Sequence, residues 1–422
     1  MRFIADFHIH SKYSRATSKN MDLESLDKWA KIKGIKVLGT GDFTHPEWLK
    51  NLKEKLEPAE PGLYRLKNSG DLSLGKAGET RFILTSEISC IYSKGGRVRK
   101  IHIVVFSPSF EICEKINTQL GWIGNLKSDG RPILGLDAKE LAKIVLNASQ
   151  DCFIVPAHLW TPWFSLFGSR SGFDSIEECC EDYTKYIFAG ETGLSSDPEM
   201  NWRISNLDKI ALISNSDAHS PAKLGREANV FDTELSYPAI IEVIKAKDPA
   251  KFLYTIEFFP QEGKYHYDGH RACDISSSPQ ESKKYNNICP NCGKPLTLGV
   301  LNRVEELADR PINFKPKGAI PFKSLIPLEE IIANALGQGT GTKRVDKEYQ
   351  NLIKEFKSEF EVLLNTSEED LKRTTLAEIA EGIIRVRQGK VDLEPGYDGV
   401  YGKIKIFSQN KQKKLSKQNT LF

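Results

Sequence analysis

From residue 1 to about 235 the chain repeats one unit: a short β-branched or apolar run, a polar residue able to bind metal, then a segment of helical period. Alternation of this kind predicts βα units around a parallel sheet or barrel. In the first unit Arg2–Phe7 reads as a strand, Asp22–Lys33 as a helix stopped by Gly34, and Ile35–Thr40 as the next strand. Further strands are expected over Arg81–Ser86, Lys100–Phe106, Phe153–Ala157, Tyr186–Gly190, Ile210–Ser214 and Phe252–Ile256. Barrels of this class build their sites at the carboxyl ends of the strands, so ligands from distant segments point at one mouth.

A chain of 422 residues is too long for a single ordinary core, and two or three domains are expected. No apolar run approaches the roughly 20 residues that span a bilayer, and MRFIADFHIH interrupts its apolar stretch with charge and histidine. The expectation is a cytoplasmic protein with no membrane partner. Three of the eight cysteines crowd into residues 273–292, which favours metal binding over a disulfide framework. The net charge of +3 decides nothing, but residues 402–422 carry six lysines and no acid. Such a tail attracts polyanions, or is simply a solvated end.

The expected organisation is 1–256 as a metal-dependent domain, 257–315 as a small zinc-knuckle module, 316–400 as a mainly helical domain and 401–422 as a basic tail. Val345, Tyr349, Leu352, Phe356, Phe360 and Leu363 follow a helical period through residues 343–364. A second helix is expected after Thr375, with Glu378 completing a capping box.

His8 and His10 share one face at the end of a strand, because strand side chains alternate. Asp42 follows IKVLGTG, Glu87 follows RFILTS, His102 lies within KIHIVVF, and His158 follows FIVPA. Glu191 follows YIFAG, and Asp217 and His219 follow IALISNS. Only eight histidines occur in the chain, and five stand at predicted strands or their ends, so coincidence explains them poorly. Mixed histidine and carboxylate sites suit zinc, manganese or iron, and the expected cofactors are two or three divalent ions: Zn²⁺, Mn²⁺ or Mg²⁺. A bridging carboxylate such as Glu87 can hold two ions, an arrangement apt for phosphoryl transfer by metal-activated water. Glu87, Asp217 and His219 are therefore the catalytic candidates. Arg226 in SPAKLGREAN joins them either as a phosphate contact or as a surface salt bridge.

These residues resemble the polymerase and histidinol phosphatase (PHP) superfamily, whose pattern runs H-x-H, an Asp-His pair, Glu, His, His and a closing D-x-H. The resemblance covers about 230 residues and implies a distorted (β/α) barrel with ligands at His8, His10, Glu87, His102, His158, Asp217 and His219. In TGDFTH, Phe43 stands where many members have histidine, leaving Asp42 as the ligand there, with His45 as a possible substitute. That departure puts a third ion in question.

His270, Cys273, Cys289 and Cys292 have the spacing of a tetrahedral structural zinc site, with His266 competing as the fourth ligand. A PHP domain joined to such a knuckle is similar to the endonuclease Q family. AHLWTPWFSLFGSRSGF, ETGLSSDPEMNWR, SNSDAHSPAKLGREA, EGKYHYDGHRACD and EPGYDGVYGK carry that likeness. It implies a DNA repair endonuclease that hydrolyses the phosphodiester 5′ to uracil, hypoxanthine, xanthine or abasic nucleotides, leaving 3′-hydroxyl and 5′-phosphate ends. Inspecting a base requires extruding it into a pocket. Trp160, Trp163 and Phe167 beside His158 offer a platform or a buried loop anchor. Ser169, Arg170, Ser171, Glu191 and Asn201 are the accompanying candidates for substrate contacts. Gln418, Leu421 and Phe422 form an ending that looks like a peptide for a replication sliding clamp. Two other readings compete. A small-molecule phosphatase would share the metal cluster but leave the knuckle and tail unexplained, and a non-catalytic DNA-binding scaffold would leave the ligand set unexplained.

Overall fold

The computed structural model describes residues 1–67 and 79–407. The first βα unit forms as its caps dictate. Asp22 accepts a hydrogen bond from the N–H of Ser25 at the start of helix Leu23–Lys33, and Gly34 ends it in the left-handed region at φ 88°. The chain then returns beside its first strand: Arg2–Asp6 pairs parallel with Val37–Gly39, which pairs parallel with Arg81–Lys94.

Beyond that point the expected parallel sheet is corrected to a mixed one. Arg81–Lys94 and Arg97–Ser107 are joined only by Gly95 and Gly96, both at positive φ, and a two-residue link can make only an antiparallel hairpin. Phe153–Pro156 adds antiparallel to the second arm. On the other side of Arg2–Asp6, Ala228–Asp232 and then Phe252–Glu257 add antiparallel, and Phe322–Ser324 adds parallel. Among the described residues eleven strands share this sheet. Ala189–Glu191 and Ala211–Ile213 form a separate parallel pair. The bonds Leu159 N–H to Glu191 O, and Ser214 Oγ to Ile256 O, tie that pair to both flanks of the sheet. The strand expected over Tyr186–Gly190 begins later because residues Glu181–Tyr186 wind into a 3₁₀ helix.

Phe7, Phe106, Phe153, Phe231 and Phe252 pack in a chain with ring centroids 4.7–6.1 Å apart, giving a rigid aromatic floor. No helix among the described residues is long and apolar enough to cross a membrane.

The C-terminal segment is helical, with two corrections. The period through residues 343–364 is split into Lys343–Phe356 and Glu359–Leu364, because Lys357 turns to φ 76° and Ser358 caps the second helix. The capping box of Thr375 and Glu378 does not form. Leu376 occupies the cap position of Ala377–Arg387, while the Thr375 hydroxyl donates to Glu348 instead. These helices are fastened to the first βα unit through buried Glu359, which takes hydrogen bonds from Lys33 Nζ (2.6 Å), Tyr349 Oη (2.6 Å) and Leu328 N–H (3.1 Å).

Candidate metal centre

Two donor sets meet around one carboxylate. His8, His10, His158 and Asp217 follow the ends of their strands, whereas Glu87 and His102 lie mid-strand in the hairpin, because the strand expected to stop at Ser86 continues to Lys94. His8, His10, Glu87 and Asp217 form the first and Glu87, His102 and His158 the second, the ligand atoms of each lying within 4.8 Å of one another. Glu87 Oε2 faces His10 Nε2 at 3.3 Å and His8 Nε2 at 3.6 Å, while Oε1 faces His102 Nδ1 at 2.7 Å and His158 Nε2 at 3.0 Å. Asp217 Oδ1 closes the first set at 3.0 Å from His10 Nε2.

The outward nitrogens of the first two histidines are each held from behind. His8 Nδ1 lies 3.0 Å from both Glu191 oxygens and His10 Nδ1 lies 3.2 Å from Asp42 Oδ1. A carboxylate on one ring nitrogen with the other left open is the arrangement of metal-ligating histidine. His8 Nε2, His10 Nε2 and Asp217 Oδ1 are buried without a hydrogen-bond partner, a cost that bound ions would remove. The donors present therefore fit divalent ions. Asp42 (φ 51°), His158 (φ 29°) and Asp217 (φ 46°) all sit at positive φ, so the loops that aim these residues are strained there.

The electrostatics suit the same occupant. Burial alone would depress His8, but Glu191 and Glu87 outweigh it and raise the imidazole well above its ordinary range; Asp217, Asp42 and Glu87 do the same for His10. Burial pushes His102 down to about 4 against the pull of Glu87, leaving it neutral and ready to ligate. Despite burial, the positive charges of His8 and Arg131 hold Glu87 well below the usual carboxylate range. Cationic occupants would thus replace protons on His8 and His10.

The knuckle forms a second centre. His270, Cys273, Cys289 and Cys292 converge, with Cys292 Sγ 3.4 Å from His270 Nδ1. Burial raises the Cys289 thiol, but the backbone N–H groups of Asn291 and Cys292 aimed at its sulfur outweigh this and bring it to about 6. Four closed donors suit a structural zinc ion. His266 stays out, buried and stacked on Tyr267.

Compared with known proteins, the fold matches the lesion-specific endonuclease PfuEndoQ of Pyrococcus furiosus with a TM-score of 0.85 and 32% identity over 100% of both chains. This chain belongs to the endonuclease Q family. A second endonuclease Q structure, in complex with a 27-mer duplex substrate carrying an abasic lesion at its active site, matches at TM-score 0.83 and 33% identity, over 97% of this chain and 98% of that one. YqxK of Bacillus subtilis is 31% identical over 420 residues, 96% of this chain and 99% of its own. The family description "MJ0043 C-terminal domain" matches residues 327–390. MJ0043 of Methanocaldococcus jannaschii is 38% identical over 257 residues, 59% of this chain and 32% of MJ0043, so the match spans about a third of that protein's length.

In this endonuclease Q several predicted residues take different places. Asp42 and Glu191 stand behind His10 and His8; neither belongs to a donor set, and both are fully buried. Ser11 and Ser14 hydroxyls and the Ser11 N–H hold Asp42, and Asn215 and the His158 N–H hold Glu191. His219 is fixed by Asp217 O at 2.8 Å, its ring 4.5 Å from that of His10, outside the two donor sets. Among the described residues Arg226 has no ion-pair partner; its Nε donates to Ser216 O and braces the Asp217 loop. Phe43 is buried in the core, and His45 stacks on Tyr13 and joins neither set.

The aromatic segment divides in two. Trp160 and Phe167 are buried and stacked, and Trp160 Nε1 donates to Asn201 Oδ1 at 2.8 Å, so these three anchor the loop. Ser171 Oγ bonds backbone at Lys100 O and Phe164 N–H. Trp163 alone of the predicted aromatics is exposed, at 42%, with its ring 6.0 Å from that of Tyr265; Ser169 and Arg170 are exposed beside it. The sequence reading missed Arg131, whose Nη1 lies 3.0 Å from Glu87 Oε2. Its only sequence signal is the Asp129-Gly130 turn before it. The clamp-like residues Gln418, Leu421 and Phe422 lie outside the described residues.

Proposed function

We propose that this endonuclease Q is a DNA repair endonuclease that cuts the phosphodiester bond 5′ to uracil, hypoxanthine, xanthine or an abasic nucleotide, leaving 3′-hydroxyl and 5′-phosphate ends. The observation that carries the reading is Glu87 standing between two donor sets with three orphaned buried ligand atoms beside it. The abasic-lesion duplex at the active site of the related endonuclease Q supports DNA as the substrate.

In this reading His8, His10, Asp217, His102, His158 and Glu87 would hold the divalent ions, Glu87 facing both donor sets, with His219 at the rim. Two or three ions (Zn²⁺, Mn²⁺ or Mg²⁺) would supply a water of lowered pKa and neutralise charge on the phosphate and the departing oxygen. Asp42 and Glu191 lock the imidazoles, and the buried floor excludes other solvent. His270, Cys273, Cys289 and Cys292 would hold a structural zinc ion. Trp163, with Ser169 and Arg170 beside it, faces the DNA, where an extruded base needs a stacking partner. The strands close into a distorted PHP barrel over residues 1–256, followed by the knuckle module to 315 and the helical domain to 400. The tail reaches a sliding clamp, and the protein works in the cytoplasm at the nucleoid.

The test is cleavage of end-labelled duplexes carrying one uracil, one hypoxanthine, one abasic site or no lesion, with each metal and with a chelator. A metal-dependent nick immediately 5′ of the lesion is the expected result. Intact DNA together with phosphate release from small phosphomonoesters would replace the reading with a phosphatase.

A further inference from the structure

We propose that Arg131 binds the phosphate to be cut, and that the segment 129–132 is built to hold it across the metal centre; this rests on the nuclease reading above. The segment is tied down at every residue. Asp129 Oδ1 accepts the N–H groups of Arg15 and Arg131, Gly130 N–H donates to Tyr13 O, Thr44 Oγ1 donates to Gly130 O, and Ser89 N–H donates to Pro132 O. Gly130 passes so close to the centre that a Cβ there would overlap the Asp42 carboxylate and the Ser14 hydroxyl. The backbone beneath Arg131 is thus packed against the groups that orient His10.

The side chain then rises to the mouth. Its side chain is 26% exposed while that of Glu87 is fully buried, so Arg131 forms the boundary between the centre and solvent. Nη1 is engaged with Glu87 Oε2, and among the described residues Nε and Nη2 have no hydrogen-bond partner. Arg226, the arginine suggested by sequence, has instead given its Nε to Ser216 O.

Glu87 offers two oxygens to five neighbours: His8, His10 and Arg131 on one, His102 and His158 on the other. Whatever share of Oε2 goes to an ion is withdrawn from Arg131. A guanidinium released there keeps its charge at any working pH and presents a planar fork that matches two non-bridging phosphate oxygens. It would bind the phosphate without moving its own backbone.

The experiment compares the full chain with Arg131→Met and Arg131→Lys. Each is titrated in Ca²⁺ with lesion duplexes whose phosphate 5′ to the lesion is either normal or a neutral methylphosphonate, gels checking that no strand is cut. Wild type is expected to prefer the charged phosphate by about 10-fold or more, as for a hydrogen bond between charged partners. Arg131→Met should lose that preference and Arg131→Lys retain part of it, with bound metal per chain unchanged in both. Equal discrimination by wild type and Arg131→Met would overturn the assignment. So would loss of metal from Arg131→Met, since Arg131 would then be a prop of the centre. In a separate cleavage arm with Mg²⁺ or Mn²⁺, wild type that nicks lesion DNA while Arg131→Met discriminates equally leaves the nuclease reading standing; wild type that nicks none in either metal removes both.

Discussion

At the scale of single residues, two carboxyl groups outside the donor sets are buried deeply enough to hold their protons. Glu257 and Glu227 are fully buried; burial, with Asp197 nearby, raises Glu257 to about 8, and burial, with Glu257 and Glu191 nearby, raises Glu227 well above its ordinary range. The native state therefore keeps protons that the unfolded chain releases near 4.5, the usual value for glutamate. That contribution to stability is fully present below 4.5 and is lost as pH rises through about 8. Melting temperature should fall between pH 5 and 9, and Glu257→Gln should flatten the fall; an unchanged slope in the variant would refute the assignment. Residue types at this centre were legible in the sequence because strand ends announce them. Their depth was not. A strand end says that Asp42 or Glu191 lies near the mouth, but whether it meets an ion or the back of an imidazole depends on the opposing loop. Arg131 was hidden for a related reason: it follows a turn rather than a strand.

At the scale of elements, the loop that follows His158 sets one exposed residue, Trp163, between buried Trp160 and Phe167. Trp160→Ala would empty a packed site and break its bond to Asn201, costing about 3–5 kcal/mol in chemical denaturation. Trp163→Ala should leave the denaturation midpoint unchanged and weaken lesion cleavage. Equal stability losses in the two variants would show that Trp163 also serves as an anchor. Aromatic spacing could not separate these roles, since both indoles carry the same signal in sequence. The βα rhythm did place most strands to within a few residues, yet it misjudged their direction. Period and composition encode a strand, while the length of the connection decides parallel or antiparallel, and Gly95-Gly96 is too short for a crossover.

At the scale of the molecule, Lys33 and Glu359 join segments 326 residues apart through a buried ion pair that also receives Tyr349. Removing one partner leaves the other charge buried and uncompensated, so Lys33→Met should destabilise the whole chain by about 3–5 kcal/mol in one cooperative transition. Calorimetry resolving a separate early melt of the C-terminal helices would argue that the pair does not couple them. The hairpin of Arg81–Lys94 and Arg97–Ser107 carries a consequence in time. Glu87 and His102 stand diagonally on one face of it, set by the pairing of Ser89 with His102. Hairpins close in about 1–10 μs, whereas His8 must wait for Asp217, more than two hundred residues later in synthesis. One carboxylate and one imidazole are therefore brought into register by a contact local in sequence, set by a two-glycine turn, whereas the remaining ligands depend on pairings between distant segments.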